Sequence, residues 1–308
     1  MSNATLKMIS VLSGLPAVRR KMFAMMFDRH DRLPIEPMPP ADPAEAERRT
    51  RAMAEVDALL AAHRVEQLTL TNAQGDRIRA RLIPCDAPTG RFALMAHGYR
   101  CSGLREFTPM LAWYLAHGVS LLVPDLQAHG DSEGELITFG GLEHLDLLQW
   151  ADLLIQRFGP DIRILLHGVS MGAATVMLTA GSRSRPAQVK AAVADCGYTS
   201  LEAEVLHCFK TFGIPESSWP TIRSRFEQKT GLCADDISPL QAVARCEIPL
   251  TLIHGAVDDF VPTPMADELH AACPHSTMLK IPSAGHAESW WLGTEAYTEA
   301  LTEAISHL

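Results

Sequence analysis

Arg163-Ile-Leu-Leu-His-Gly-Val-Ser-Met-Gly-Ala-Ala-Thr-Val-Met177 is the stretch on which the fold of this chain turns. A short apolar run meets Gly168-Val169-Ser170-Met171-Gly172 and continues into alanine-rich, helix-favouring sequence. G-x-S-x-G between a strand and a helix is the nucleophile-elbow pattern. Its turn is so tight that a side chain at 168 or 172 would collide with its neighbours, which requires glycine at both. The pattern predicts Ser170 on a strained corner with its hydroxyl exposed. The amide of Met171 should point to where a substrate oxyanion would develop. A strand-to-helix turn that merely contains a serine gives the same five letters, so the rest of the chain has to supply the serine's partners.

Serine at its own pKa is a weak nucleophile and needs a base to take its proton and a third group to hold that base. Downstream, Ile253-His-Gly-Ala-Val-Asp-Asp-Phe-Val-Pro262 reads as an apolar strand opening into an acidic loop. Ile281-Pro-Ser-Ala-Gly-His286 reads as a second strand end followed by a histidine. The chain has 13 histidines, so His286 stands out by its place after the last strand and not by its type. Asp258 lies 88 residues beyond Ser170 and His286 lies 28 beyond Asp258, room for a strand and an insertion, then a helix and a strand. The order Ser, Asp, His suits such a triad on a parallel sheet. Three carboxylates stand at strand ends, Asp195, Asp258 and Asp259. Asp258 is expected to be the acid, Asp259 to point differently and be solvated or bonded to nearby backbone, and Asp195, after the strand next to the elbow, is the competitor.

The 308 residues suit one large α/β domain with embellishments. An apolar fraction of 47% with 20% charged residues is ordinary for a globular protein. A formal charge of −9 with no basic stripe argues against a nucleic-acid surface. The seven cysteines, at 85, 101, 196, 208, 233, 246 and 273, include no C-x-x-C pair. They read as reduced thiols of a cytoplasmic protein, with neither a disulfide frame nor a zinc site. The apolar run from Met8 to Val18 is interrupted by Arg19-Arg20-Lys21 and is about half the length needed to span a bilayer. It also lacks the layout of a secretory signal.

Residues 1 to about 33 read as one or two Met-rich amphipathic helices, ended by Pro34, Pro37, Pro39 and Pro40, with a further helix at about 42–63. Met, Leu and Phe at helical spacing imply core or dimer packing. From Val65 the period becomes two, through Asn72-Ala-Gln-Gly75, which predicts an antiparallel hairpin. Strands are then expected at about 91–97, 119–124, 163–169, 189–195, 248–254 and 276–281. Helices at about 107–117, 142–158, 171–181, 265–272 and 294–306 alternate with them, the signature of a mostly parallel sheet covered on both faces. Residues 201–246 are helical in pattern and longer than one crossover needs, which predicts a cap over the ligand crevice. The division is therefore an N-terminal helical extension over 1–64 and a catalytic domain over 65–308 carrying that cap.

Met95-Ala-His-Gly-Tyr-Arg100, Val123-Pro-Asp-Leu-Gln-Ala-His-Gly-Asp-Ser-Glu-Gly134, the elbow, Ala194-Asp-Cys-Gly-Tyr-Thr199, His254-Gly-Ala-Val-Asp258 and Gly285-His286 together resemble a bacterial serine hydrolase of the α/β-hydrolase superfamily, from about residue 65 to the C-terminus. The resemblance implies Ser170 as nucleophile, His286 as base and Asp258 as acid, with the backbone N–H groups of Tyr99 and Met171 as the oxyanion hole. It implies a carboxylesterase working through an acyl-enzyme, with peptidase and thioesterase as alternatives on the same machinery and a non-catalytic binding protein as the alternative of another class. No cofactor or metal is expected, and the partner is a small acyl ester, amide or thioester. Relatives often read Arg-Gly-His-Gly where this chain has Gln127-Ala128-His129-Gly130. Asp125, His129 and Ser132 are expected to brace that loop. Relatives also often carry a membrane anchor. The charges at 19–21 argue against one here and leave peripheral contact by an N-terminal helix open. Oligomeric state is not legible.

Overall fold

In the computed structural model, residues 16–31 and 43–308 are described. The strands are β1 (Glu66–Thr71), β2 (Arg77–Ile83), β3 (Arg91–Ala96), β4 (Ser120–Asp125), β5 (Arg163–Val169), β6 (Val189–Asp195), β7 (Leu250–Gly255) and β8 (Thr277–Ile281). Among the described residues they form one eight-stranded sheet in the order β1-β2-β4-β3-β5-β6-β7-β8. β1 to β2 and β2 to β4 are antiparallel, and every other neighbouring pair is parallel. Each parallel step needs a crossover, and the crossovers bring helices to both faces.

Period-two alternation divides the core. Phe92, Leu94 and Ala96 of β3 belong to one buried cluster with the helices Glu143–Phe158 and Met171–Ala180. Ala93 and Met95 belong to the other, with Gly103–Ala116 and Thr294–Ser306. Central strands buried on both faces read as unbroken apolar runs, as Phe-Ala-Leu-Met-Ala at 92–96 does.

The hairpin and the six parallel strands fall within two residues of their expected places. The helix expected from about 107 begins at Gly103, because the Asp125 carboxylate accepts from the Gly103 amide at 3.0 Å and the Pro124 carbonyl lies too close for any Cβ there. A short helix, Ser289–Leu292, lies between β8 and the C-terminal helix, where the sequence pattern predicts none.

Two N-terminal helices are described, Pro16–Phe27 and Pro43–Ala62. The expected helical sequence before residue 16 and the proline cluster at 34–40 lie outside the described residues. Met22, Phe23 and Phe27 are buried, and the Phe27 ring meets Phe226 at 4.9 Å and Phe139 at 5.5 Å. Each such phenylalanine contributes about 1.5–3 kcal/mol by leaving water, so this helix is docked as part of the core. Arg49 of the second helix lies over the Trp291 ring at 5.3 Å. Among the described residues no helix is long and apolar enough to cross a membrane.

Between β6 and β7 run the helices Leu201–Thr211, Trp219–Thr230 and Pro239–Val243. Leu201, Val205, Phe209, Ile222 and Phe226 are buried in the same cluster as the N-terminal helix. Arg19 reaches across to Thr221 at 2.6 Å.

Candidate active site

β5 ends at Val169 and the chain turns at Ser170, whose φ of 57°, with ψ of −118°, lies in the positive range that favours glycine. A non-glycine residue is held there at a cost of about 1–3 kcal/mol, so its neighbours must fix it. The Ser170 amide donates to the Asp195 carbonyl at 2.8 Å, and the Ser170 carbonyl accepts from the Ala174 amide at 3.1 Å. A Cβ on Gly168 would run into the Gly172 carbonyl, and one on Gly172 into the Ala96 carbonyl. Both glycines are therefore imposed by backbone contact, as the pentapeptide implied.

The loop after β8 brings His286 to this corner. Ser170 Oγ donates to His286 Nε2 at 2.8 Å. His286 Nδ1 donates to Asp258 Oδ2, also at 2.8 Å. The other carboxylate oxygen, Oδ1, accepts from the amides of Phe260 at 3.0 Å and Val261 at 2.9 Å, which fixes the side chain in the loop after β7. Asp258 is buried while the His286 side chain keeps 22% of its surface open. Burial works against a charged imidazole at 286, but the hydrogen bond and charge of Asp258, with the charges of Glu204 and Asp195, outweigh it and raise the His286 pKa above its ordinary value.

The two competing carboxylates go elsewhere. Asp259 is exposed, and its carbonyl accepts from His207 Nε2 at 2.8 Å. Asp195 is sealed under the sheet end, accepting from Ser289 Oγ at 3.0 Å. Burial pushes its carboxyl up to about 7.

The loop after β3 supplies three successive amides with different fates. Gly98 donates to Glu106 Oε2 at 3.2 Å and Arg100 donates to His129 Nε2 at 3.0 Å. The amide between them, Tyr99, has no acceptor among the described residues, and neither has that of Met171 at the start of its helix. His129 acts here as an acceptor, and burial drives its pKa well down. Ser132 Oγ donates to the Asp125 carbonyl at 2.6 Å, and Asp125 Oδ2 accepts from the Asp131 amide at 3.1 Å, so the 125–132 loop is internally tied.

Sequence reasoning did not reach what holds that loop from outside. The guanidinium of Arg100 donates to the carbonyls of Met25 at 3.1 Å, Asp28 at 2.8 Å, Arg29 at 3.2 Å and Asp31 at 2.6 Å. Its Nε donates to Tyr99 Oη at 2.8 Å, and that hydroxyl donates to the Met26 carbonyl at the same distance. The Met25 and Met26 carbonyls are orphan acceptors of the last turn of the N-terminal helix, and the other three follow just beyond it. The only sequence signal was an arginine beside the His-Gly pair.

Cys196 Sγ, an Asp258 oxygen and a His286 nitrogen lie within 4.8 Å of one another. Both imidazole nitrogens are already engaged, so an ion held there would break the Ser170–His286–Asp258 chain and not add to it.

Residues 93–301 match the model of the Alpha/beta hydrolase family. An uncharacterised protein of Bacillus subtilis, YqkD, is 26% identical over 232 residues, covering 74% of each chain. Among solved structures, the esterase Pf2001 of Pyrococcus furiosus superposes with a TM-score of 0.65 at 21% identity, over 80% of this chain and 91% of its own. The thioesterase domain of the curacin biosynthetic pathway superposes with a TM-score of 0.51 at 18% identity, over 78% and 99%.

Proposed function

The chain belongs to the alpha/beta hydrolase family, and from that footing we propose that it is a serine hydrolase acting as a carboxylesterase. The observation that carries the reading is the unbroken pair of 2.8 Å hydrogen bonds from Ser170 to His286 to Asp258. Ser170 Oγ attacks the ester carbonyl as its proton passes to His286 Nε2. The tetrahedral oxyanion is held by the amides of Tyr99 and Met171. Protonated His286 then gives its proton to the departing alcohol, leaving Ser170 acylated. Water, deprotonated by the same imidazole, releases the acid and restores the serine. Asp258 holds the imidazole in the tautomer that presents a lone pair to Ser170.

The substrate bond is tested with a panel of p-nitrophenyl esters of increasing acyl length, run beside acyl thioesters and aminoacyl amides. Esters are expected to show the highest kcat/KM. A higher value on thioesters or on amides would replace esterase by thioesterase or peptidase while keeping the machinery.

The clamp on the oxyanion loop yields a further expectation. Arg100→Ala removes the ties that set the Tyr99 amide against the N-terminal segment, so kcat should fall by at least about tenfold with KM little changed, the mark of an interaction made in the transition state. Arg100→Lys, which keeps the charge but one donor nitrogen in place of three, should fall between. A KM effect with unchanged kcat would show that the clamp does not aim the amide.

A further inference from the structure

Glu204 is a buried carboxylate left unused by this chemistry. It lies in the first turns of Leu201–Thr211, a helix capped by Ser200 Oγ, which accepts from the Ala203 amide at 3.1 Å. The helix starts six residues after Asp195, whose carbonyl holds the Ser170 amide. Residues 204, 207 and 208 share one face at i, i+3 and i+4. His207 ties that face to the Asp259 carbonyl at 2.8 Å, and the next residue, Phe260, sets its ring 4.8 Å from the ring of His286. The Glu204 face of the helix therefore looks onto the loop of the triad acid and onto the imidazole. Burial pushes the Glu204 carboxyl up to about 7, against the pull of the His286 charge, so it is part ionised near neutral pH and can accept from an incoming donor.

The residue is 3% exposed. Its Oε1 is met by the Cys208 thiol at 3.5 Å, a weak donor, and its Oε2 has no partner among the described residues. Folded proteins rarely bury a carboxyl oxygen without a donor, because the lost hydration is not replaced. An acid in the first turn suits the helix dipole, but a half-buried one such as Glu202 serves as well, and nothing there calls for full burial. Both nitrogens of His286 are already bonded, so Glu204 is not a second partner for the base. What it lacks is a hydrogen-bond donor arriving from outside the protein.

Resting on the serine hydrolase reading, we propose that Glu204 is a specificity-determining residue whose carboxyl receives a hydroxyl or protonated amine carried by the leaving group of the substrate. The side follows from the chemistry. His286 must hand its proton to the departing oxygen, so the leaving group lies on the imidazole's side of Ser170, the side toward which the Glu204 face of the helix is turned. A site built to bond such a donor discriminates strongly against an isostere without it, because the buried carboxyl is then left unpaired.

The test uses butyrate esters in two matched pairs, 2-hydroxyethyl against propyl and protonated 2-(dimethylamino)ethyl against 3-methylbutyl, assayed with the full chain. The wild type should prefer the donor-bearing member of at least one pair by about tenfold or more in kcat/KM. Glu204→Leu should bring that ratio to near one. Glu204→Gln, which keeps a carbonyl acceptor but no charge, should retain hydroxyl selectivity and lose cation selectivity, and so also tells the two donors apart. Wild-type ratios near one in both pairs, or ratios unmoved in both variants, would overturn the assignment. A fluorophosphonate run in parallel separates the two levels: labelled Ser170 without leaving-group selectivity sinks only the role of Glu204, and folded protein without labelling sinks the hydrolase reading together with it.

Discussion

Ser170→Ala is expected to lower kcat on any ester substrate by about 10⁴ to 10⁶, with an unchanged fold. The side chain removed is one hydroxyl, bonded only through Oγ to His286 Nε2. The backbone at 170 is held by Asp195 and Ala174, whatever the side chain. Alanine therefore keeps the elbow, with the glycines at 168 and 172 still meeting backbone and not side chains. Steady-state kinetics beside thermal unfolding separate the two effects. Retention of more than about a tenth of wild-type kcat would place the nucleophile elsewhere.

Asp258→Asn is expected to lower kcat by at least about 10²-fold. An amide at 258 turns a donor toward His286 Nδ1 and favours the tautomer that carries its proton on Nε2, where Ser170 needs a lone pair. The pH profile gives a second readout. With His286 as the proposed base, the neutral imidazole is the active form, so kcat/KM is expected to rise with pH through its pKa, and the raised pKa places that rise above the ordinary imidazole value. Without the Asp258 charge, burial dominates and the residual activity should rise at lower pH than in the wild type. Asp195→Asn should act differently. Its folded pKa of about 7 stands above the ordinary value of 3.8, so its contribution to stability is fully present below 3.8 and is lost as pH rises toward 7. The variant should lose that pH dependence of unfolding while keeping catalysis. A catalytically dead but thermally normal Asp195→Asn, beside an active Asp258→Asn, would reverse the assignment of the acid.

The parts of this molecule written in short-range patterns were legible from sequence. The elbow announces itself because backbone contacts at Gly168 and Gly172 leave no alternative residue. The strand positions follow because burial on both faces demands apolar runs such as that of β3. The geometry at Asp258 could be chosen over Asp259 because a one-residue step in a loop changes where a side chain points. Contacts made across long separations had no such pattern. Arg100 meets carbonyls about 70 positions earlier in the chain, and carbonyl acceptors carry no residue identity to read. Glu204 looks like an ordinary charge on an amphipathic helix until its face is seen turned inward. The start of the helix at Gly103 depends on the Asp125 carboxylate from the neighbouring strand end, which no local preference at 103–107 reveals.

The most direct test of Ser170, His286 and Asp258 acting as one unit is labelling of the intact protein with a fluorophosphonate, which reacts with an activated serine and not with an ordinary one. One probe per chain on the peptide containing Ser170, abolished in Ser170→Ala and slowed by at least about 10²-fold in Asp258→Asn, is expected. Folded wild-type protein that stays unlabelled, or that is labelled at another serine, would contradict it.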